Sequence, residues 1–184
     1  MIRLALVAAA LLALAAPAQA KPRVHRCGNA VCGSVPRPLD PAKPHSRKLR
    51  IGFKLYGVSR PKGPPIVAVE GGPGYPSIGS QVEYRGIYQP LLRERSLLLV
   101  DNRGTGTSGL IDCENLQTFE GRTSGPAFAK RVGDCAKQID KQFGPHATDL
   151  FATAYAVDDL AAVIRALGLG KVDMYGDSYG TFFV

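Results

Sequence analysis

The sequence predicts an α/β fold, with a mostly parallel β-sheet and helices on its faces. Three short apolar runs of strand length support this prediction, at 65–69, 96–100 and 171–175. Between the second and third runs, residues 157–167 carry apolar side chains at helical spacing. Apolar strands that alternate with helices are typical of parallel sheets with right-handed crossovers.

The first 20 residues are predicted to be a secretory signal peptide. Arg3 is the one charged residue, an apolar run covers 4–16, and Ala18 and Ala20 form a small-residue cleavage site. The apolar run of about 13 residues is shorter than the roughly 20 that cross a bilayer, which disfavours the alternative, an uncleaved anchor. We therefore expect a secreted protein with no stable membrane anchor.

Residues 21–45 are predicted to form a leader that carries prolines and two cysteines, with an edge strand at 32–39. The folded domain is expected to cover 46–184. Its first strand is predicted over 48–56, where apolar and polar or small residues alternate. The turn at 59–64, which contains proline and glycine, leads into the next strand.

The strand at 65–69 ends in the glycine loop Gly71-Gly72-Pro73-Gly74. Such a loop exposes backbone N–H groups, which can hydrogen-bond the oxyanion that forms when a nucleophile attacks a carbonyl. Because proline has no N–H, Gly72 is the predicted donor, with Gly71 and Gly74 as its neighbours. A weakly patterned helix is expected over 80–95.

The strand at 96–100 is followed by Asp101, Arg103 and a glycine turn at 104–109. We expect Asp101 and Arg103 to hold this turn beside the site, Arg103 through hydrogen bonds to backbone or carboxylate. The turn also fits the Gly-x-Gly-x-x-Gly pattern of dinucleotide sites, but residues 110–113 lead into an expected disulfide loop instead of a helix. No lysine follows the glycines, so a phosphate-binding P-loop is excluded, and no cofactor is predicted.

The helix expected after this turn has Ser124 as its cap and Pro126 early in its first turn. Apolar residues at 128, 132 and 139 recur at helical spacing with Cys135, which places Cys135 on the inward face.

The chain has four cysteines: Cys27, Cys32, Cys113 and Cys135. In an oxidising compartment disulfides are the default state, and four cysteines allow three pairings. We favour the pairs Cys27–Cys32 and Cys113–Cys135, the second because of the inward position of Cys135. Zinc is the alternative, but Cys-x₄-Cys without a suitable histidine pair is a poor zinc signature, and no metal is predicted.

The strand at 171–175 ends in Gly176-Asp177-Ser178-Tyr179-Gly180, the Gly-x-Ser-x-Gly pattern of a nucleophile elbow. A serine in this turn adopts a strained backbone conformation, and Gly176 and Gly180 leave room for it. Ser178 is the predicted nucleophile, and the Tyr179 N–H is predicted to complete the oxyanion hole. Gly-Asp-Ser also begins the first block of one lipase group, but there the block lies at the first strand.

Together, 71–74, 101–108 and 176–180 resemble the proline iminopeptidase and tripeptidyl aminopeptidase group of α/β-hydrolases, and Asp158-Asp159-Leu160 extends the resemblance over 46–184. The resemblance implies an α/β-hydrolase fold, here the N-terminal part of a mostly parallel sheet truncated just after the nucleophile elbow. It also implies removal of residues from peptide N-termini through an acyl-enzyme. Glu70 stands where many proline iminopeptidases carry histidine, which favours the secreted tripeptidyl branch.

In α/β-hydrolases the catalytic acid and histidine follow the serine in the chain. All three histidines, His25, His45 and His146, precede Ser178 and are interpreted as solvated loop residues. We therefore interpret 46–184 as the N-terminal portion of a hydrolase domain without its general base, and expect it to be inactive alone. The alternatives are an esterase or lipase, or a non-catalytic remnant.

The formal net charge of +8 comes from basic residues scattered over the leader, the first strands and one helix. Without interleaved aromatic side chains or a nucleic-acid motif, they are interpreted as a solvated surface, and no nucleic-acid partner is predicted. The expected partner is a peptide or small-molecule substrate. The oligomeric state does not follow from the sequence.

Overall fold

The computed structural model describes residues 21–118 and 124–184. The predicted signal peptide, 1–20, lies outside the described residues. The strands are β1 (Arg23–Cys27), β2 (Ala30–Pro38), β3 (Lys48–Tyr56), β4 (Ile66–Val69), β5 (Leu97–Val100) and β6 (Asp173–Gly176). The helices are α1 (Gln81–Ile87), α2 (Glu114–Gln117), α3 (Pro126–Phe143) and α4 (Thr153–Ala166), with 3-10 helices at Ala147–Phe151 and Ser178–Phe182.

The strands form one six-stranded sheet in the order β1-β2-β3-β5-β4-β6. The sheet is mixed. Strands β5, β4 and β6 are parallel, as the alternation of strands and helices predicted, whereas β1, β2, β3 and β5 pair antiparallel. The parallel half carries the loops in which the candidate site lies.

The segment predicted as a leader, 21–45, forms a hairpin that continues the sheet, so the edge strand is β1 and not 32–39. Its two-residue loop has Gly28 at the first central position with φ +63°, as a type II′ turn requires. The Gly-Asn pair between two strands was the sequence signal for this hairpin. The Cys27–Cys32 disulfide closes it.

Two apolar layers hold the sheet. On one face Leu49, Ile51 and Phe53 are at most 4% exposed and pack with residues of α3 and α4. On the other face Leu97 and Leu99 pack with Tyr84 of α1. Strands β4 and β5 are buried along their whole length, because both of their faces are covered, and this explains their continuous apolar sequence.

Helix α4 matches its prediction and ends at Ala166, with Leu167 as its C-cap before Gly168, which has φ +66°. Helix α3 begins at Pro126 after Gly125, so Ser124 is not the cap. Phe128 and Val132 are 37% and 43% exposed, and only the second half of α3 is buried, through Ile139 and Phe143.

Helix α1 is shorter than the predicted 80–95, because it ends at Ile87 and turns follow. Pro90 accounts for this end, since its ring would clash with the carbonyl four residues earlier in a continued helix.

Both predicted cysteine pairs are formed, with Cα–Cα distances of 5.8 Å for Cys27–Cys32 and 5.6 Å for Cys113–Cys135. The second joins the residue before α2 to the middle of α3. Its sequence separation of 22 corresponds to about 3 kcal/mol of stabilisation in the chain-entropy description. The pairs agree with the predicted export, which itself stays a prediction. None of the helices described, at 21–118 and 124–184, is long and apolar enough to cross a membrane.

Candidate active site

Ser178 lies directly after β6 in a left-handed backbone conformation, with φ +47°. Among the described non-glycine residues, only His146 shares a positive φ. A serine held in this region costs of order 1–3 kcal/mol, and such strain persists only where the surroundings fix it. Here the Asp177 N–H donates to the Val69 carbonyl at 3.0 Å, which ties the elbow to the end of β4.

Three glycines surround the serine because no side chain fits there. A Cβ on Gly176 would overlap the Gly180 carbonyl, and one on Gly180 would overlap the Val69 carbonyl. A Cβ on Gly71 would lie 2.9 Å from both the Asp177 carbonyl oxygen and the Ser178 Cβ. The glycine loop after β4 therefore lies against the elbow, as the order of the motifs predicted.

Backbone amides near Ser178 differ in whether they are already paired. The Gly71 N–H donates to the Glu70 carboxylate at 2.9 Å. The amides of Gly72 and Tyr179, the two predicted oxyanion donors, donate to no group within the described part of the chain. The Gly72 N–H can therefore donate to an oxyanion, whereas the Gly71 N–H is already donated to Glu70.

Asp101 connects the segment after the glycine loop to the glycine turn. Its Oδ1 accepts the Ile78 N–H at 2.9 Å, and its Oδ2 accepts the N–H and hydroxyl of Thr107 at 2.8 and 2.9 Å. Its carbonyl accepts the Ser108 hydroxyl at 2.7 Å. Asp101 is 1% exposed, so one buried carboxylate fixes the relative positions of two loops beside the elbow.

Arg103 is the centre of a second buried polar cluster. Its Nε donates to Asp159 Oδ2 at 2.9 Å, and its Nη1 donates to the carbonyls of Leu39 and Leu150. Arg37 donates to the other oxygen of Asp159 at 3.0 Å. The side chains of Arg103 and Asp159 are 0% and 1% exposed. The cluster therefore joins β2, the glycine turn and α4.

Sequence reasoning predicted the support by Arg103 but gave Asp159 and Arg37 no role. The sequence did contain a signal for the role of Asp159, because this residue lies on the buried face of α4 with Ala156, Leu160 and Val163. A carboxylate on an apolar helix face requires a charged or hydrogen-bonding partner.

Glu70 brings negative charge to the glycine loop. Burial raises the pKa of its carboxyl, but the Ser80 hydroxyl, the Gly71 N–H and the nearby Tyr84 hydroxyl stabilise the charged form and leave that pKa below its usual value. Burial and the nearby Glu70 charge also raise the pKa of Tyr84. The Tyr84 hydroxyl is buried and makes no hydrogen bond of ordinary geometry within the described residues.

Residues 64–184 match the family described as alpha/beta hydrolase fold. The chain belongs to the α/β-hydrolase family. A search of curated proteins returned no match.

Among solved structures, this α/β-hydrolase is similar to the proline iminopeptidase of Mycobacterium smegmatis, with 16% identity and a TM-score of 0.47 over 82% of this chain and 37% of that one. It is also similar to a proline iminopeptidase-related protein from Thermus thermophilus, with 16% identity and a TM-score of 0.42 over 89% and 38%. A cold-adapted esterase from an Arctic intertidal metagenomic library has 20% identity and a TM-score of 0.25, over 67% and 50%. The chain thus spans less than two fifths of the length of the first two structures.

The predicted α/β-hydrolase fold is confirmed, while the peptidase group and the site roles stay predictions. In this α/β-hydrolase the three motifs meet at one cavity of about 220 Å³. Its lining includes Gly74 from the glycine loop, Arg103 and Thr105 from the turn, and Tyr179 from the elbow. The cavity is smaller than the roughly 300–1,000 Å³ of complete ligand sites, and Ser178 lies next to its wall.

Proposed function

We propose that this chain carries the nucleophile and oxyanion hole of a serine hydrolase that removes residues from peptide N-termini. The observation that supports the proposal is the strained Ser178, with φ +47°, packed against Gly71 at the end of β6. Strain at a residue that the surrounding structure over-determines is a feature of functional sites. A serine with no chemical role gains nothing from this conformation.

In the proposed reaction, Ser178 Oγ attacks the carbonyl carbon of the scissile bond and passes its proton to a histidine. The N–H groups of Gly72 and Tyr179 hydrogen-bond the oxyanion. When the C–N bond breaks, the leaving amine takes the proton from the histidine and an acyl-enzyme remains. Water then attacks the acyl carbon and releases the peptide fragment.

The proposal requires a histidine and an acid that follow the serine, as in other α/β-hydrolases. His25 lies on β1, at the opposite edge of the sheet from β6. His45 lies in the turn between β2 and β3, and His146 precedes the 3-10 helix at Ala147–Phe151. None of these positions is where the family places its base.

The charge near the site supports an amine-bearing substrate. Glu70 carries a negative charge at neutral pH, since its pKa lies below the ordinary value for a carboxyl. Asp177 adds a second carboxylate, which acts electrostatically on Tyr84. Negative charge beside the nucleophile attracts the α-ammonium group of a peptide and gives a neutral ester no such advantage. This is why we favour an aminopeptidase over an esterase or lipase.

The test uses the full-length protein that the gene encodes. Peptidyl p-nitroanilides with a free N-terminus should be hydrolysed, and their N-acetylated counterparts should react much more slowly. Ser178→Ala should abolish turnover, whereas Ser59→Ala, at an exposed loop serine, should not. Turnover of p-nitrophenyl esters alone would favour the esterase. No turnover and no labelling of Ser178 by a fluorophosphonate would show a non-catalytic protein.

A further inference from the structure

One face of the antiparallel half of the sheet is basic and holds a cleft. Because paired residues of neighbouring strands share a face, Arg23 of β1, Ser34 of β2 and Gly52 of β3 lie in one row. His25, Cys32 and Lys54 form the next row. The opposite face of β3 carries Leu49, Ile51 and Phe53 of the apolar core, whereas this face carries Arg50, Gly52 and Lys54.

The cleft on this face has a volume of about 530 Å³. Arg23, His25 and Arg50 line it together with Ser34, and Ile78 and Thr107 form a wall. The Arg50 guanidinium donates to the Ser34 hydroxyl at 2.5 Å. Arg23 is the residue of β1 that pairs with Ser34, so both arginines neighbour this residue of β2 and both line the cleft.

The positive charge in this cleft has no acidic partner. Neither arginine forms a salt bridge within the described residues, although seven other ion pairs are present there. No carboxylate lines the cleft. Asp101 lies behind Thr107, but it is buried and its oxygens accept the Ile78 and Thr107 hydrogen bonds. An anion in the cleft would therefore meet two uncompensated guanidinium groups.

We propose that this sheet-face cleft binds the phosphate monoester of a small organic molecule. Guanidinium groups bind phosphate oxygens in a bidentate geometry. A phosphate monoester carries a charge of about −1.5 to −2 at neutral pH, which balances two arginines, whereas a carboxylate balances one. The volume lies within the roughly 300–1,000 Å³ of organic ligand sites, and the wall of Ile78 and Thr107 offers apolar contact to the organic group.

Isothermal titration of the full-length protein with phenyl phosphate tests the proposal. Phenyl phosphate should bind more tightly than inorganic phosphate, which lacks the apolar group, and than benzoate, which lacks the second charge. Arg23→Gln and Arg50→Gln should each weaken binding by about tenfold, since each removes a charge-assisted hydrogen bond. Arg60→Gln is the control, because Arg60 is an exposed arginine in the loop after β3.

Several results would overturn the proposal. Binding that is unchanged in both cleft variants, or weakened equally by Arg60→Gln, would place the anion elsewhere or make it non-specific. Benzoate that binds as tightly as phenyl phosphate would exclude phosphate recognition. A short single-stranded oligonucleotide that binds more tightly than phenyl phosphate, and loses affinity in both cleft variants, would identify a nucleic-acid surface instead. Thermal melting of each variant shows whether its fold is intact.

Discussion

Replacing Asp159 by asparagine should destabilise the protein strongly, although it changes a single atom. The carboxylate accepts hydrogen bonds from Arg103 and Arg37, and the Arg103 side chain is fully buried. Without the negative charge, the buried guanidinium loses its counter-ion and an amide N–H₂ group faces an arginine donor. Removal of one partner from a buried ion pair costs about 3 to 5 kcal/mol.

The neighbouring residue offers a matched control. Asp158 is exposed on the same helix turn, and Asp158→Asn should change the free energy of unfolding by no more than about 0.5 kcal/mol. In urea titrations followed by circular dichroism, Asp159→Asn should lower the unfolding midpoint by roughly 1 to 2 M, given the usual denaturant slopes. Equal midpoints for the two variants would refute the interpretation that the Asp159 carboxylate is the counter-ion of the buried Arg103.

Three further predictions concern activity, the disulfides and acid stability. Purified 21–184 should hydrolyse neither peptide anilides nor p-nitrophenyl esters, and turnover that disappears in Ser178→Ala would contradict this by requiring a base within those residues. Peptide mapping of unreduced protein should yield a fragment that links Cys113 to Cys135, and free thiols at both positions would disprove the pair. Because folding lowers the pKa of Glu70, its ionisation stabilises the fold above the unfolded pKa, and this stabilisation is lost as pH falls through the folded value. Glu70→Gln should therefore flatten the acid limb of stability against pH, and an unchanged limb would show that the carboxylate is not stabilised in the fold.

The strands and the elbow could be predicted because their signals are local. The buried runs of β4 and β5 and the alternation in β3 appear directly in the sequence, and the elbow needs only five consecutive residues. The Cys113–Cys135 pair was predictable for a related reason, since one helical face determines which way Cys135 points.

The features that the sequence analysis missed depend on contacts between residues that are far apart in the chain. Arg37 and Asp159 are 122 residues apart, and no local pattern shows that they meet. Phe128 and Val132 have the spacing of a buried face, yet both are exposed, and the buried residues of α3 are Ile139 and Phe143. The hairpin of β1 and β2 was missed because its prolines favoured a leader. Pro36 and Pro38 of β2 lie beyond Ser34, the last residue that pairs with β1, so this end of β2 has no β1 partner and tolerates proline.

The positive φ of Ser178 also means that the residue needed for the proposed reaction is not the residue that would make the fold most stable. A positive φ suits glycine, so Ser178→Gly relieves strain of about 1–2 kcal/mol while adding about 0.5–1 kcal/mol of backbone entropy to be lost on folding. The inactive glycine variant should thus melt at or above the temperature of the wild type. Ser178→Ala, which keeps a Cβ at φ +47°, should gain nothing. In relatives that no longer need the reaction, we therefore expect glycine to replace serine at this position, and those inactive relatives to be more stable.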